Sequence, residues 1–181
     1  MNKNQRVKLT KRLLQEALIE LLKRKPLEKL SITELCDEAD INRATFYRHY
    51  NLPCEVLEEM QANFVERIHS DVDLNALISS PLKYVEKVCS YIYEHAEIVK
   101  IFIKNNSEEN MIKLFDDFFE TLLRNNEMIK RRYRMDEAEI KLISAYMSGG
   151  GYFMLRRWLL EDIPKTSDEV SGLVLSFFNQ V

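Results

Sequence analysis

The run Asn42-Arg43-Ala44-Thr45-Phe46-Tyr47-Arg48-His49-Tyr50 crowds two guanidinium groups, an amide, three hydroxyls, an imidazole and a bare methyl into a short length of chain. Arg bonds guanine edges or phosphate oxygens, Thr bonds to either, and an Ala methyl rests against a thymine methyl. At ~100° per residue in a helix, Phe46 and Tyr50 lie near one meridian and Arg48 almost opposite. Ala44 and Thr45 fall beside Arg48, with Tyr47 and His49 on the two rims. One face anchors; the other is offered outward in a form that suits a helix laid in a major groove. The same pattern also fits a helical hairpin whose charges simply face water, and geometry alone does not separate the two.

These residues need elements to position them. Ile32, Leu35, Cys36 and Ala39 fall at i, i+3, i+4 and i+7, the apolar face of a helix that Ser31 and Glu34 open as a capping box. Asp40 and Ile41 interrupt the pattern, and Asn42 caps a new helix running from Arg43 to about Tyr50. A helix of about eight residues does not stand alone in water, so packing must hold it. A preceding helix from Thr10 to about Lys25, with its stripe Leu14, Ala17, Leu18, Leu21 and Leu22, supplies the surface, and Pro26 ends it.

Ser31-Ile32-Thr33-Glu34-Leu35, followed by Ala39-Asp40-Ile41-Asn42-Arg43-Ala44-Thr45-Phe46-Tyr47-Arg48-His49-Tyr50, resembles the DNA-binding signature of the TetR (tetracycline-repressor-like) family of transcriptional regulators. The likeness covers roughly Thr10 to Leu57. It implies an all-α fold, with an N-terminal three-helix helix-turn-helix domain over residues 1–52. A C-terminal helical bundle for effector binding and dimerisation then occupies residues 53–181, about nine helices in all. It also implies that Thr33, at the second helix's first turn, faces DNA together with Asn42, Arg43, Ala44, Thr45, Tyr47, Arg48 and His49. Two positions depart from the family's pattern. Asp40 stands where the family usually has Gly, and Asp visits the left-handed conformation more readily than most residues. Pro53 stands where relatives commonly have a phosphate-contacting Lys, so that contact is not carried over.

The net charge of −3 over 181 residues is unevenly spread: residues 1–50 hold 11 Lys+Arg against 7 Asp+Glu, net +4, which leaves −7 for the rest. Lys3, Arg6, Lys8, Lys11 and Arg12 precede or open the first helix, where they could reach phosphate or a minor groove. Taken singly, each reads more readily as a solvated charge on a frayed tail than as a contact. Four Gly and four Pro favour long helices over turn-rich β architecture. No apolar run spans a bilayer and the N-terminus lacks a signal peptide's apolar core, so a cytoplasmic protein without membrane partners is expected. Cys36, Cys54 and Cys89 are odd in number and widely spaced, which indicates neither disulfides nor a thiolate metal site, and Cys36 is expected as a buried, inert thiol.

Further helices are expected from Pro53 to about Asp71, from Ser80-Pro81 to about His95, and at Glu97 to Lys104. Others run from Glu108, after a Ser107 cap, to about Tyr133, from Asp136 to about Glu161, and from Ser167 to Gln180 after a Thr166-x-x-Glu169 capping box. Asp71 to Ser80 reads as turn. Gly149-Gly150-Gly151 interrupts a strong helical pattern at roughly 1 kcal/mol per Gly relative to Ala, so a kink or the close approach of another helix is expected there. The surplus of apolar residues on the last two helices suits an isologous homodimer built as a four-helix bundle through Met154, Trp158, Val170, Leu173, Val174 and Phe177. Two copies would explain how so short a helix reads a palindrome.

No nucleophile elbow, dinucleotide loop or phosphate-binding glycine motif appears, and His49, His69 and His95 are scattered; the pair His69 and Asp73 reads as an exposed ion pair. No catalysis, cofactor or metal is expected. The middle helices are rich in aromatics, which are more often core than ligand contacts. Family resemblance implies a cavity among them for a small-molecule effector, with Tyr91, His95, Phe102, Phe115, Phe119 and Tyr146 as its candidates. The expected function is that of a repressor that binds a palindromic operator in double-stranded DNA and is released by the effector. The alternative is an effector- or protein-binding module of the same fold that has lost specific DNA binding, for which Asp40 and Pro53 speak.

Overall fold

The computed structural model describes residues 3–71, 80–106, 108–125 and 134–179. Every regular element among them is helical, and they form two compact units, Met1–Glu66 and Arg67–Val181.

In the first unit, α1 (Lys3–Leu22) is followed by a 3-10 turn (Leu27–Lys29), α2 (Ile32–Glu38), α3 (Arg43–Phe46) and the first turns of α4 (Pro53–Asp71). The stripe foreseen on α1 is its buried face: Leu14 and Leu18 are fully buried, as are Leu35, Phe46 and Val56 from the other helices. Helix α1 starts seven residues earlier than its apolar stripe suggests. Its first turns are built from Gln, Arg, Lys and Leu, which favour helix intrinsically but carry no stripe to be read. The basic segment is therefore helical rather than a frayed arm. The start of α2 is the expected capping box: Glu34 N–H donates to Ser31 Oγ (3.2 Å) and Ser31 N–H donates to Glu34 Oε2 (3.0 Å).

In the second unit come α5 (Pro81–Glu94), α6 (Ala96–Asn105), α7 (Glu108–Asn125), α8 (Glu137–Leu160) and α9 (Ser167–Asn179). Helix α7 lies along α8, and α9 packs on α5. Asp136 and Glu139 make a second capping box at the start of α8, and Thr166 with Glu169 supplies the one foreseen at α9. The Ser107 cap, the turn expected over 71–80 beyond Asp71, Asp73 with its pairing to His69, and the last turns of the helix expected to reach Tyr133 lie outside the described residues.

The three glycines of α8 divide by what faces them. A Cβ on Gly151 would stand 3.2 Å from the Phe119 ring and 3.3 Å from Phe115, so there the close approach of α7 requires glycine. Gly149 and Gly150 face open space, and their lack of side chains leaves bare backbone on the surface of a continuous helix. The expected close approach is thus real for one of the three.

Candidate functional site

The turn that follows α2 is assembled from local signals. After α2, Ala39 caps the helix and Asp40 takes φ 52°, the left-handed region. Ile41 N–H donates to Cys36 O (2.9 Å) and Asp40 N–H to Asp37 O (3.3 Å), the paired bonds of a Schellman stop. Asp40 therefore performs the turn that a glycine makes more cheaply, which weakens the case that this position spoils the unit. Asn42 then caps α3, its Oδ1 accepting from Ala44 N–H at 2.7 Å. The α-helix proper covers only Arg43–Phe46, shorter than the eight residues expected, because beyond it Arg48 N–H donates to Thr45 O (3.3 Å) and His49 N–H to Phe46 O (2.9 Å). These tighter bonds carry the turn on to Tyr50.

The faces fall as the helical wheel assigns them. Phe46 is fully buried and Tyr50 is 4% exposed, their rings 5.8 Å apart. Thr33, Asn42, Arg43, Ala44, Tyr47 and Arg48 are exposed, while Thr45 and His49 are half-buried. A side-chain hydrogen bond from Arg43 to Tyr47 raises the Arg43 pKa above its ordinary value and ties together two groups of this face. Cys36 lies 2% exposed beneath it, and burial pushes its thiol up, in keeping with an inert thiol.

The charges around the face sort into paired and open. Lys25 hydrogen-bonds Glu34, and with the Ser31 bonds it holds that carboxyl down at about 2. Because the value is lowered, the charge on this cap is present at neutral pH and lost only as pH falls from the ordinary carboxylate range towards 2. Arg24 reaches Glu38 at 3.4 Å. Lys11, one of the basic group expected near phosphate or solvent, donates to Glu59 at 2.8 and 2.9 Å, and Arg12 stands 3.6 Å from Glu16. Arg6 and Lys8 are exposed. Arg48 takes no part in the ion pairs of this unit among the described residues.

In the second unit, the expected effector residues occupy different surroundings. Tyr91 and His95 stack at 4.2 Å, Phe102 is buried in α6, and Tyr146 is 80% exposed on the outer face of α8. Phe115 and Phe119 do belong together, in a row that runs through Tyr84–Phe118 (5.4 Å, stacked), Phe118–Phe119 (5.1 Å), Phe119–Phe115 (6.4 Å) and Phe115–Tyr152 (6.3 Å). Tyr84 is fully buried among Ile68, Val88, Phe118, Phe119 and Leu122, its hydroxyl has no hydrogen-bond partner among the described residues, and burial pushes its pKa up to about 12. A buried hydroxyl in that state costs about 1–3 kcal/mol. Sequence reading left Tyr84 out because an aromatic at helical spacing reads as core whether or not its polar tip is satisfied.

The expected dimer residues also divide. Trp158 and Val170 are 5% and 4% exposed, buried within the chain itself: the indole N–H donates to Lys165 O (2.9 Å) and the ring stacks on Tyr93 (5.5 Å). Met154 and Leu173 are exposed and Val174 is half-buried, while the Phe177 side chain lies outside the described residues. The exposed apolar face of α8 is instead Leu142 (72%), Tyr146 (80%) and Phe153 (47%), with Gly149 and Gly150 between them. Among the described residues no group of His, Cys, Asp and Glu could hold a metal ion, and no helix is long and apolar enough to cross a membrane.

Residues 79–180 match a TetR-type family model described as a transcriptional regulator C-terminal region. Two solved structures share the fold. One, described as a TetR-family transcriptional regulator from Syntrophomonas wolfei, is 16% identical with a TM-score of 0.73, covering 94% of this chain and 93% of that one. The other, the dihydroxyacetone kinase operon activator DhaS, is 16% identical with a TM-score of 0.62, covering 93% of each. No curated protein matches the sequence.

Asp40→Gly should raise the stability of the first unit by about 0.5 kcal/mol, the relief of a left-handed Asp partly offset by the greater freedom of unfolded Gly. Asp40→Val should cost about 1–2 kcal/mol. Urea midpoints measure both, and a Val variant as stable as the wild type would contradict the left-handed turn.

Proposed function

For a chain that belongs to the TetR family of transcriptional regulators, we propose the role of a sequence-specific repressor that binds a palindromic operator as a homodimer and leaves it when a small molecule binds the second unit. The family is one of regulators rather than enzymes. The observation that carries the reading is the exposed set Asn42, Arg43, Ala44, Tyr47 and Arg48 on a turn whose other face, Phe46 and Tyr50, is locked into the core, with exposed Thr33 on α2. Arg48 and Thr45 reach base edges in this reading, Tyr47 and His49 hold phosphates at the rims, and Thr33 does so from α2.

The partner for the α8 face is a second copy of this chain. Leu142, Tyr146 and Phe153 recur on one side of the helix, and bare Gly149 and Gly150 at its middle let two such helices approach closely. In this reading the effector binds at the aromatic row, which the buried Tyr84 hydroxyl supports as a donor for an acceptor on the ligand. The mechanism needs only that the effector favour the dimer geometry that fits DNA worse.

Gel shifts against a duplex of the chain's own upstream region test the DNA reading. Arg48→Ala should weaken binding by about 1–3 kcal/mol, and Thr45→Ala should relax base preference. Binding should also fall steeply with salt; no specific shift, or one indifferent to Arg48→Ala, sinks the reading. Phe153→Glu should turn a dimer into a folded monomer by light scattering, whereas a monomeric wild type would contradict the dimer. A ligand that releases the wild-type complex should do so less well with Tyr84→Phe; an unchanged response would remove the effector from this row.

A further inference from the structure

The N-terminal end of the reading turn is fixed by the Asn42 cap and the Asp40 stop, and its middle by buried Phe46. Its C-terminal end, where Arg48 and His49 sit, lies beyond the last α-helical residue; along the backbone the Arg48 and His49 N–H groups make shorter-range bonds at 3.3 and 2.9 Å, and Tyr50 N–H donates to Phe46 O at 3.0 Å. At this end the Tyr50 hydroxyl crosses to another element and donates to Glu59 Oε2 of α4 at 2.8 Å. Lys11 of α1 donates to both oxygens of the same carboxylate and stands 5.4 Å from the centre of the Tyr50 ring, close enough for a cation–π contact. Three helical segments thus meet on one carboxylate.

We propose that Glu59 is a positioning residue for DNA reading, fixing the Arg48–His49 end of the turn through the Tyr50 hydroxyl while Lys11 orients the carboxylate. The proposal rests on the DNA-binding reading above. Core filling does not require this arrangement, because the Tyr50 ring already packs on Phe46 and a Phe at the same place would bury the same apolar area. What the hydroxyl adds is direction: a short bond to an ionised acceptor, which is stronger and more exacting in geometry than one between neutral groups. Burial alone would raise the Glu59 pKa, but the bonds from Lys11 and Tyr50 outweigh it and the net shift is downward, so the acceptor stays charged. The same burial and bond push the Tyr50 hydroxyl up, keeping it a donor.

Tyr50→Phe removes the donor, Glu59→Leu the acceptor, and Glu59→Gln keeps a neutral acceptor; all are compared in the full chain at a temperature where circular dichroism shows each folded. Tyr50→Phe and Glu59→Leu should each weaken binding to the upstream duplex about tenfold, with the double variant no worse than either and Glu59→Gln in between. Independently of DNA, amide exchange at His49 and Tyr50 should speed up about tenfold in both single variants, while amides of Leu18 and Leu35 keep their protection. Unchanged exchange at His49 and Tyr50, or losses that add in the double variant, overturns the proposal. Faster exchange throughout the first unit also overturns it, since it assigns Glu59 to general stability. A wild type that binds no duplex refutes the DNA-binding reading instead, and the exchange result still decides whether Glu59 holds the turn.

Discussion

Four residues of α-helix cannot hold their own shape in water, since forming the first turn orders several residues for a single hydrogen bond. Everything in the first unit answers that constraint at α3 (Arg43–Phe46). The Schellman stop at Asp40 sets the angle at which the chain enters, Asn42 closes the open N–H groups, and fully buried Phe46 ties the turn to a core that also buries Leu14, Leu18, Leu35 and Val56. Burying a side chain of that size is worth about 1.5–3 kcal/mol, more than the cap contributes, so packing decides whether the turn exists and capping decides where it starts. The outward residues are then free to be chosen for chemistry rather than for stability.

Charge is arranged by the same logic. Several basic residues near the turn are neutralised within the unit: Lys25 by Glu34, Arg24 by Glu38 and Lys11 by Glu59. Most of these pairs are largely exposed and add little stability, but they decide which cations remain open. Arg48 stands apart from them on the outward face, beside exposed Ala44 and half-buried Thr45. The positive balance of residues 1–50 is therefore a poor guide to which side chains face a polyanion, and the pairing pattern is a better one.

In the second unit, glycine and aromatic residues divide the work of α8. Gly151 admits the Phe115 and Phe119 rings of α7, while Gly149 and Gly150 open outward on the face that carries Leu142, Tyr146 and Phe153. One interruption in the sequence thus serves two contacts, one inside the protomer and one proposed between protomers. What was legible from sequence followed range. The capping boxes at Ser31, Thr166 and the turn through Asp40 and Asn42 are settled by residues a few positions apart, and they were readable. Lys11 meets Glu59 across 48 positions, and no periodicity announces it. Trp158 and Val170 show the same limit: an apolar face looks alike whether it meets its own chain or another, so the residues inside the protomer could not be told from those left outside. Helix α1 was read short because a helix of polar helix formers has propensity without pattern.

The proposed dimer would bring two copies of this turn to one palindrome. Nuclease footprinting of the upstream duplex with the wild-type protein should then show two protected half-sites of inverted sequence, their centres about one helical turn or a multiple apart. A single protected site without inverted symmetry, or uniform protection that vanishes at physiological salt, would contradict it.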